Sequence, residues 1–169
     1  HAPTVAGLAT SFGSGAMTNS FADYAMAKMI ILVGTNITEA HPVAGTFVKD
    51  AVLAGAKLIV IDPRRTEMVD FADMHIQLKV GSDVALINAL MNVLISENLY
   101  DKKYVDSCTE GFEDLKKKVM EYTPEKAAKI SGIPSDTIRE LARKMASVKP
   151  AMLMYTLGIT EHICGVNNV

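Results

Sequence analysis

A chain of 169 residues, 49% of them hydrophobic and 21% charged, has the composition of an ordinary globular domain that can bury a core without disulfide or metal staples. Its net charge of −2 leaves no electrostatic footprint for DNA, RNA or an anionic membrane, and no apolar run approaches the ~20 residues of a membrane span. The two cysteines, Cys108 and Cys164, form neither a disulfide framework nor a CxxC pair; as free thiols they suit a reducing, cytoplasmic setting.

The chain opens on HAPTVAGLATSFGSGAMTN, a run of small residues punctuated by glycine. Its GSG is a weak phosphate-loop signal because no strand leads into it. MIILVG (29–34) and KLIVID (57–62) are continuous apolar runs of strand length, as expected of strands buried on both faces of a parallel sheet. Between them, HPVAGTFVKDAVLAGA reads as a helix with Pro42 in its first turn, Val43, Phe47 and Leu53 on its inner face, and Gly55 at its end. This strand–helix–strand segment is a βαβ unit with a right-handed crossover.

MHIQLKV (74–80) predicts a third strand, leading through Gly81-Ser82-Asp83 into a helix over VALINALMNVLISENL. Ser82 and Asp83 are the expected caps, and Val84, Ile87, Leu90, Met91, Leu94 and Ile95 the expected buried stripe. A more polar helical stretch follows, in which the KKK run reads as a solvated face. Then comes a helix capped by Ser135 with Ile138, Leu141, Ala142 and Met145 turned inward. AMLMYT (151–156) predicts a fourth strand, before the loop LGITEH and one more helical segment. The alternation predicts a three-layer αβα sandwich with a mainly parallel, Rossmann-like sheet.

In open sheets of this kind ligands bind beyond the carboxyl ends of the strands. Those ends read Gly34-Thr35-Asn36, Asp62-Pro63-Arg64-Arg65, Val80-Gly81-Ser82-Asp83 and Thr156-Leu157-Gly158. Asp62 can accept hydrogen bonds from sugar hydroxyls, Asn36 can pair with a base edge or phosphate, and Arg64 can fork onto a phosphate. Asp83 at a helix start competes with an anion and favours a donor-rich partner such as guanine. Taken singly, each end is better read as a turn or a cap; together they favour a nucleotide-like ligand. Neither GxGxxG nor GxxxxGK[ST] follows a strand, which argues against an ordinary dinucleotide fold or a P-loop. The histidines have no ligand-like spacing: His75 reads as a core or sheet-surface residue and His41 as structural, whereas His162 lies past the last strand, near the ligand edge.

These stretches, in order, resemble the molybdopterin oxidoreductase family and, within it, the catalytic α subunits of formate dehydrogenases. The matching pieces are HAPTVAGLATSFGSGAMTNS, GTNITEAHP, GAKLIVIDPRRTE, ADMHIQLKVGSDVALINALMNVLISENLYD, TEGFEDLKKKVMEYTPE and LGITEHICGVNNV. The resemblance covers essentially the whole chain. It implies that residues 1–169 are a single αβα domain, truncated at both ends from a larger catalytic subunit, and one of two that together hold bis-molybdopterin guanine dinucleotide with molybdenum or tungsten.

Position by position, the resemblance places Asn36, Glu39 and His41 in the loop after the first strand. Asp62, Pro63 and Arg64 fall in the DPR motif, and Gly81, Ser82 and Asp83 in the G-[ST]-[DN] motif, all toward the guanosine and pyrophosphate of one dinucleotide. Leu157, Gly158, Glu161 and His162 match a loop near the pterin. His1 follows the position of the metal-ligating cysteine or selenocysteine, which makes it a candidate proton acceptor as formate becomes carbon dioxide; a neutral imidazole suits that role. The parent would also carry a 4Fe-4S cluster, take formate as substrate and pass electrons to further subunits, while this segment alone would be inactive. The sequence departs from the family at Ile37, where proline is common, at Thr156, where glycine is frequent, and at Glu161, where glutamine is usual. A sister enzyme such as a nitrate reductase, a stand-alone nucleotide-binding module and an interaction domain without a ligand are the alternative readings.

Overall fold

Five consecutive apolar residues, MIILV, make strand β1 (Met29–Val33), and all five are buried. In the computed structural model, which describes residues 1–169, β1 pairs with β2 (Lys57–Ile61), β2 with β3 (Met74–Ile76), and β1 on its other side with β4 (Ala151–Tyr155). Every pairing is parallel, with Ile31 opposite both Ile59 and Leu153, and Val60 opposite His75. The order β3-β2-β1-β4 puts the two most continuously apolar strands in the centre of the sheet.

In chain order the helices are α1 (Ala2–Phe12), α2 (Ile37–Ala40), α3 (Pro42–Leu53), α4 (Asp83–Ser96), α5 (Lys102–Cys108), α6 (Phe112–Val119), α7 (Pro124–Ser131), α8 (Ser135–Ser147), α9 (Leu157–Thr160) and α10 (Gly165–Asn168). Short 3-10 turns lie at Phe21–Met26 and Glu67–Phe71. Two compact units result: His1–Gln77 with Lys149–Val169, and Leu78–Val148.

The first unit contains the sheet. Ile30, Leu32, Leu58 and Val60 on one face pack with Tyr24, Ile37, Ala44, Val48, Ala51, Met68 and Met152. Ile31, Ile59 and Ile61, on the opposite face, are equally buried. Burial of both faces is why β1 and β2 read as unbroken apolar runs rather than as alternation. The Tyr24 hydroxyl donates to Met154 Sδ at 2.7 Å, so the one polar atom of this large core residue is satisfied.

The inner face of α3 differs from the expected one. Ala44, Gly45, Val48 and Ala51 are buried, whereas Val43 and Leu53 are 63% and 81% exposed. Ala44, Val48 and Ala51 join the core cluster of the sheet, Gly45 lies against α2 and Met68, and the larger side chains are left on the outside. Phe47 lies at the rim, stacked on Phe21 with ring centroids 5.5 Å apart. The helix stops just short of Gly55, whose φ of +101° reverses the chain into β2. The opening run, in which no element was predicted, forms α1 and packs against α10.

The second unit is helical. Helix α4 packs against α6, α7 and α8, and its buried surface is accordingly broader than the predicted stripe. Ala85, Leu86, Ala89, Leu90, Asn92, Val93 and Ile95 are buried; of the expected set only Leu90 and Ile95 are fully so, and Val84 is exposed. Buried Asn92 donates from Nδ2 to the Val119 carbonyl at 3.1 Å, in the last turn of α6, and the same carbonyl accepts from Tyr122 N–H at 2.9 Å. The polar stretch resolves into three short helices. Asp101 caps α5 by accepting from Tyr104 N–H, and Thr123 caps α7 by accepting from Lys126 N–H. Ser135 is the first residue of α8 rather than its cap, a position taken by Pro134; Ile138, Leu141 and Ala142 face inward as expected.

Candidate functional site

Parallel pairing aligns the carboxyl ends of β1, β2 and β4 along one edge of the sheet. Gly34 ties them together. Its N–H donates to the Ile61 carbonyl at 2.9 Å, and its own carbonyl accepts from Gly158 N–H and from Thr156 Oγ1, both at 3.0 Å. Thr156, a departure from the family pattern, thus uses its hydroxyl to join the ends of β1 and β4. Next to Gly34, the Thr35 hydroxyl is buried without a hydrogen-bond partner. Asn36 precedes α2; its Oδ1 accepts from Thr38 Oγ1 at 3.2 Å, and its carbonyl accepts from Ala40 N–H at 3.0 Å. Glu39 and His41 follow within the same turn and are exposed.

The end of β2 is the most organised part of the edge. The Asp62 side chain is only 5% exposed, yet just one of its oxygens is used. Oδ1 accepts from Arg64 N–H at 2.7 Å, closing a tight turn around half-buried Pro63, and Oδ2 accepts no hydrogen bond within the chain. The two adjacent arginines differ. Arg65 is paired with Asp70 at 2.6 Å, while the Arg64 side chain is 71% exposed and comes no closer than 3.9 Å to Asp62. A carboxylate oxygen and a guanidinium are therefore both available to a ligand at one turn.

Two residues of the β3 segment hold this turn from behind. His75 Nε2–H donates to the Asp62 carbonyl at 3.0 Å, and Gln77 Nε2 donates to the Pro63 carbonyl at 2.9 Å. The carbonyl partner requires the proton on Nε2 of His75. The sequence reading of His75 as a sheet-surface residue agrees with this position, but Gln77 was missed. The two-residue spacing puts both side chains on one side of the extended segment, but which turn they reach is set by the pairing of β3 with β2.

After β4, Leu157 is exposed and Gly158 begins the close approach to Gly34. His162 Nε2 donates to the Gly158 carbonyl at 2.9 Å, and Glu161 is exposed with its N–H on the Leu157 carbonyl. Tyr155, the last residue of β4, keeps a buried hydroxyl without a partner, and burial raises its pKa above the ordinary phenol value.

The first unit thus brings the Asn36, Asp62–Arg64 and Leu157–His162 segments to one sheet edge. Gly81, Ser82 and Asp83 belong to the second unit. There Gly81 has φ +81°, and Ser82 and Asp83 are buried. Ser82 Oγ donates to the Lys79 carbonyl instead of capping α4. His1 is exposed ahead of α1, and its carbonyl accepts from Val5 N–H. Cys108 and Cys164 are free and exposed, and no helix is long and apolar enough to cross a membrane.

Comparison with known proteins identifies the family of the chain. The chain is 47% identical over 169 residues to the F420-dependent formate dehydrogenase 2 subunit alpha of Methanococcus maripaludis, covering all of this chain and 25% of that protein. It is 44% identical to formate dehydrogenase H of Escherichia coli, again over its full length and 24% of the relative. Among solved structures, acetylene hydratase from Pelobacter acetylenicus superposes with a TM-score of 0.83 at 33% identity, over 98% of this chain and 22% of the other. The chain spans about a quarter of the length of the curated relatives it matches. Residues 2–169 match the family model described as molybdopterin oxidoreductase, and the chain belongs to that family.

Proposed function

We propose that residues 1–169 form a molybdopterin guanine dinucleotide-binding domain of the catalytic α subunit of a molybdenum- or tungsten-dependent formate dehydrogenase. Family membership implies a molybdopterin cofactor, and the relatives most similar in sequence include formate dehydrogenase α subunits. The guanine dinucleotide form, the metal, a 4Fe-4S cluster elsewhere in the parent, and electron-transfer subunits belong to this proposal. So does a cytoplasmic location, supported by two exposed, unpaired thiols. When bound, the cofactor supplies a metal centre that accepts the two electrons released as formate becomes carbon dioxide and a proton.

The residues on the sheet edge fit such a group. The observation that carries the reading is the turn at the end of β2. The unclaimed Oδ2 of buried Asp62 is an acceptor for the N–H edge of guanine or for a ribose hydroxyl. Exposed Arg64 is a fork for pyrophosphate. Gly34 and Gly158, in direct backbone contact, join the ends of β1 and β4 at this edge, and Asn36, Glu39 and His41 flank it. Gly81, Ser82 and Asp83, in the second unit, are carried over from the family resemblance as dinucleotide contacts, and Leu157, Gly158, Glu161 and His162 as contacts near the pterin. His1 takes the proton of formate.

The test uses the full-length enzyme. Wild type should release GMP on acid hydrolysis, in proportion to bound molybdenum or tungsten, and reduce a viologen dye with formate. Asp62→Asn keeps an acceptor for Arg64 N–H but removes the charge, and it should lower GMP and metal content together. Wild-type enzyme without guanine nucleotide would overturn the cofactor reading. Acetylene hydration without formate oxidation would retain the cofactor site and overturn the activity.

A further inference from the structure

The Asp62–Arg64 turn carries the proposed recognition of the guanosine and pyrophosphate, and the hydrogen bond from Arg64 N–H to Asp62 Oδ1 that closes it leaves the Asp62 and Pro63 carbonyls to be held from outside. An exposed turn containing one internal hydrogen bond samples several conformations, and each costs binding free energy when a ligand selects one. Here the backbone carbonyls of two consecutive turn residues are both occupied by side chains from the neighbouring strand segment. His75 Nε2–H reaches the Asp62 carbonyl, and Gln77 Nε2 reaches the Pro63 carbonyl. The spacing is enforced by register: Val60 is opposite His75 and Ile61 opposite Ile76, so residues 75 and 77 run alongside the turn. The backbone ladder adds a third tie, from Asp62 N–H to the Ile76 carbonyl at 3.2 Å.

Gln77 is exposed and His75 only half-buried. Neither belongs to the hydrophobic cluster around β1 and β2, so core packing does not account for the pair. Their shared feature is a donor aimed at the backbone of the turn. We infer that His75 and Gln77 are positioning residues that lock the Asp62–Arg64 turn in its ligand-ready form. They act on the guanine nucleotide portion of the cofactor through Asp62 Oδ2 and the Arg64 guanidinium, without touching the ligand. This inference rests on the proposed guanosine site.

The experiment compares full-length wild type with His75→Phe, Gln77→Leu and His75→Gln, the last of which keeps a side-chain N–H donor. Two quantities are read: deuterium exchange of the 62–66 segment in cofactor-free protein, and guanine nucleotide retained per molecule. Loss of either donor should speed exchange of the segment by about fivefold to tenfold, the worth of one hydrogen bond, and lower nucleotide content, with the thermal midpoint falling by no more than about 2–4 °C. His75→Gln should restore both. Variants that retain nucleotide as wild type does, or whose turn exchanges no faster, overturn the inference while leaving the guanosine site standing. Wild type without bound guanine nucleotide overturns that site and this inference together.

Discussion

Gly158 donates its N–H to the carbonyl oxygen of Gly34 at 3.0 Å, and a β-carbon added to Gly158 would lie 2.5 Å from that same oxygen. The ends of β1 and β4 touch backbone to backbone, and Gly34 further requires a φ of +55°. Two glycines at this edge therefore answer to a single constraint.

Gly158→Ala forces a methyl group against backbone that no side-chain rotation can relieve. It should lower the free energy of unfolding by about 1–3 kcal/mol, the range for overpacking in a close-packed site. Urea denaturation measures this. An unchanged midpoint would show that the two strand ends separate at little cost.

The orientation of α3 makes a paired prediction. Val48 is fully buried, whereas Leu53 is 81% exposed. Val48→Ala should destabilise the chain by about 2 kcal/mol, and Leu53→Ala by less than about 0.5 kcal/mol, despite the larger group removed. Equal effects would support the face expected from residue size alone.

Within the second unit, Glu97 accepts two hydrogen bonds from Arg143, both of 2.8 Å. Those hydrogen bonds, against a smaller opposing effect of burial, hold the Glu97 pKa below its ordinary 4.5. A depressed carboxylate pKa stabilises the fold above the unfolded value and ceases to do so as pH falls through the folded one. Exposure and salt screening keep the effect small. The gap in thermal midpoint between wild type and Arg143→Met should be present at about pH 7 and shrink as pH falls below the ordinary carboxylate range. A gap independent of pH would assign the role of Arg143 to packing of its aliphatic stem.

For His1 the prediction concerns rate rather than occupancy. In the full-length enzyme His1→Gln should reduce kcat for formate by roughly 10²–10⁴, the range for loss of a proton-transfer group, while metal and GMP content stay at wild-type levels. A variant with full kcat would remove His1 from the reaction. Loss of metal would reassign it to holding the cofactor.

What could be read in the sequence follows from what each element needs. MIILV and KLIVI are legible because both faces of a central parallel strand demand apolar residues, and the acids, amides and glycines after them marked the ligand edge. Helix α1 was not read: Val5, Leu8 and Phe12 do recur at helical spacing, but Val5 and Phe12 are exposed, and the helix instead packs at Gly7 and against α10 at the far end of the chain. The buried face of α3 was not legible from residue size: Val43, Phe47 and Leu53 lie broadly on one face, but the buried residues are Ala44, Gly45, Val48 and Ala51, with Gly45 against α2 and Met68. At the site, Asp62 and Arg64 were visible as strand-end residues. Their support by Gln77 was not, because it depends on the pairing register of β3 with β2, which local pattern does not encode.

The sheet order also dictates a sequence of events during synthesis. The three strands β1, β2 and β3 emerge close together, but the partner on the other side of β1 comes only after the entire helical unit: Thr156 is 122 positions beyond Gly34. For that interval, on the order of ten seconds at ribosomal rates, the most apolar strand of the protein has an open edge. A nascent chain stalled within residues 78–148 would present that edge to any other strand, and this is the point at which a chaperone has most to protect.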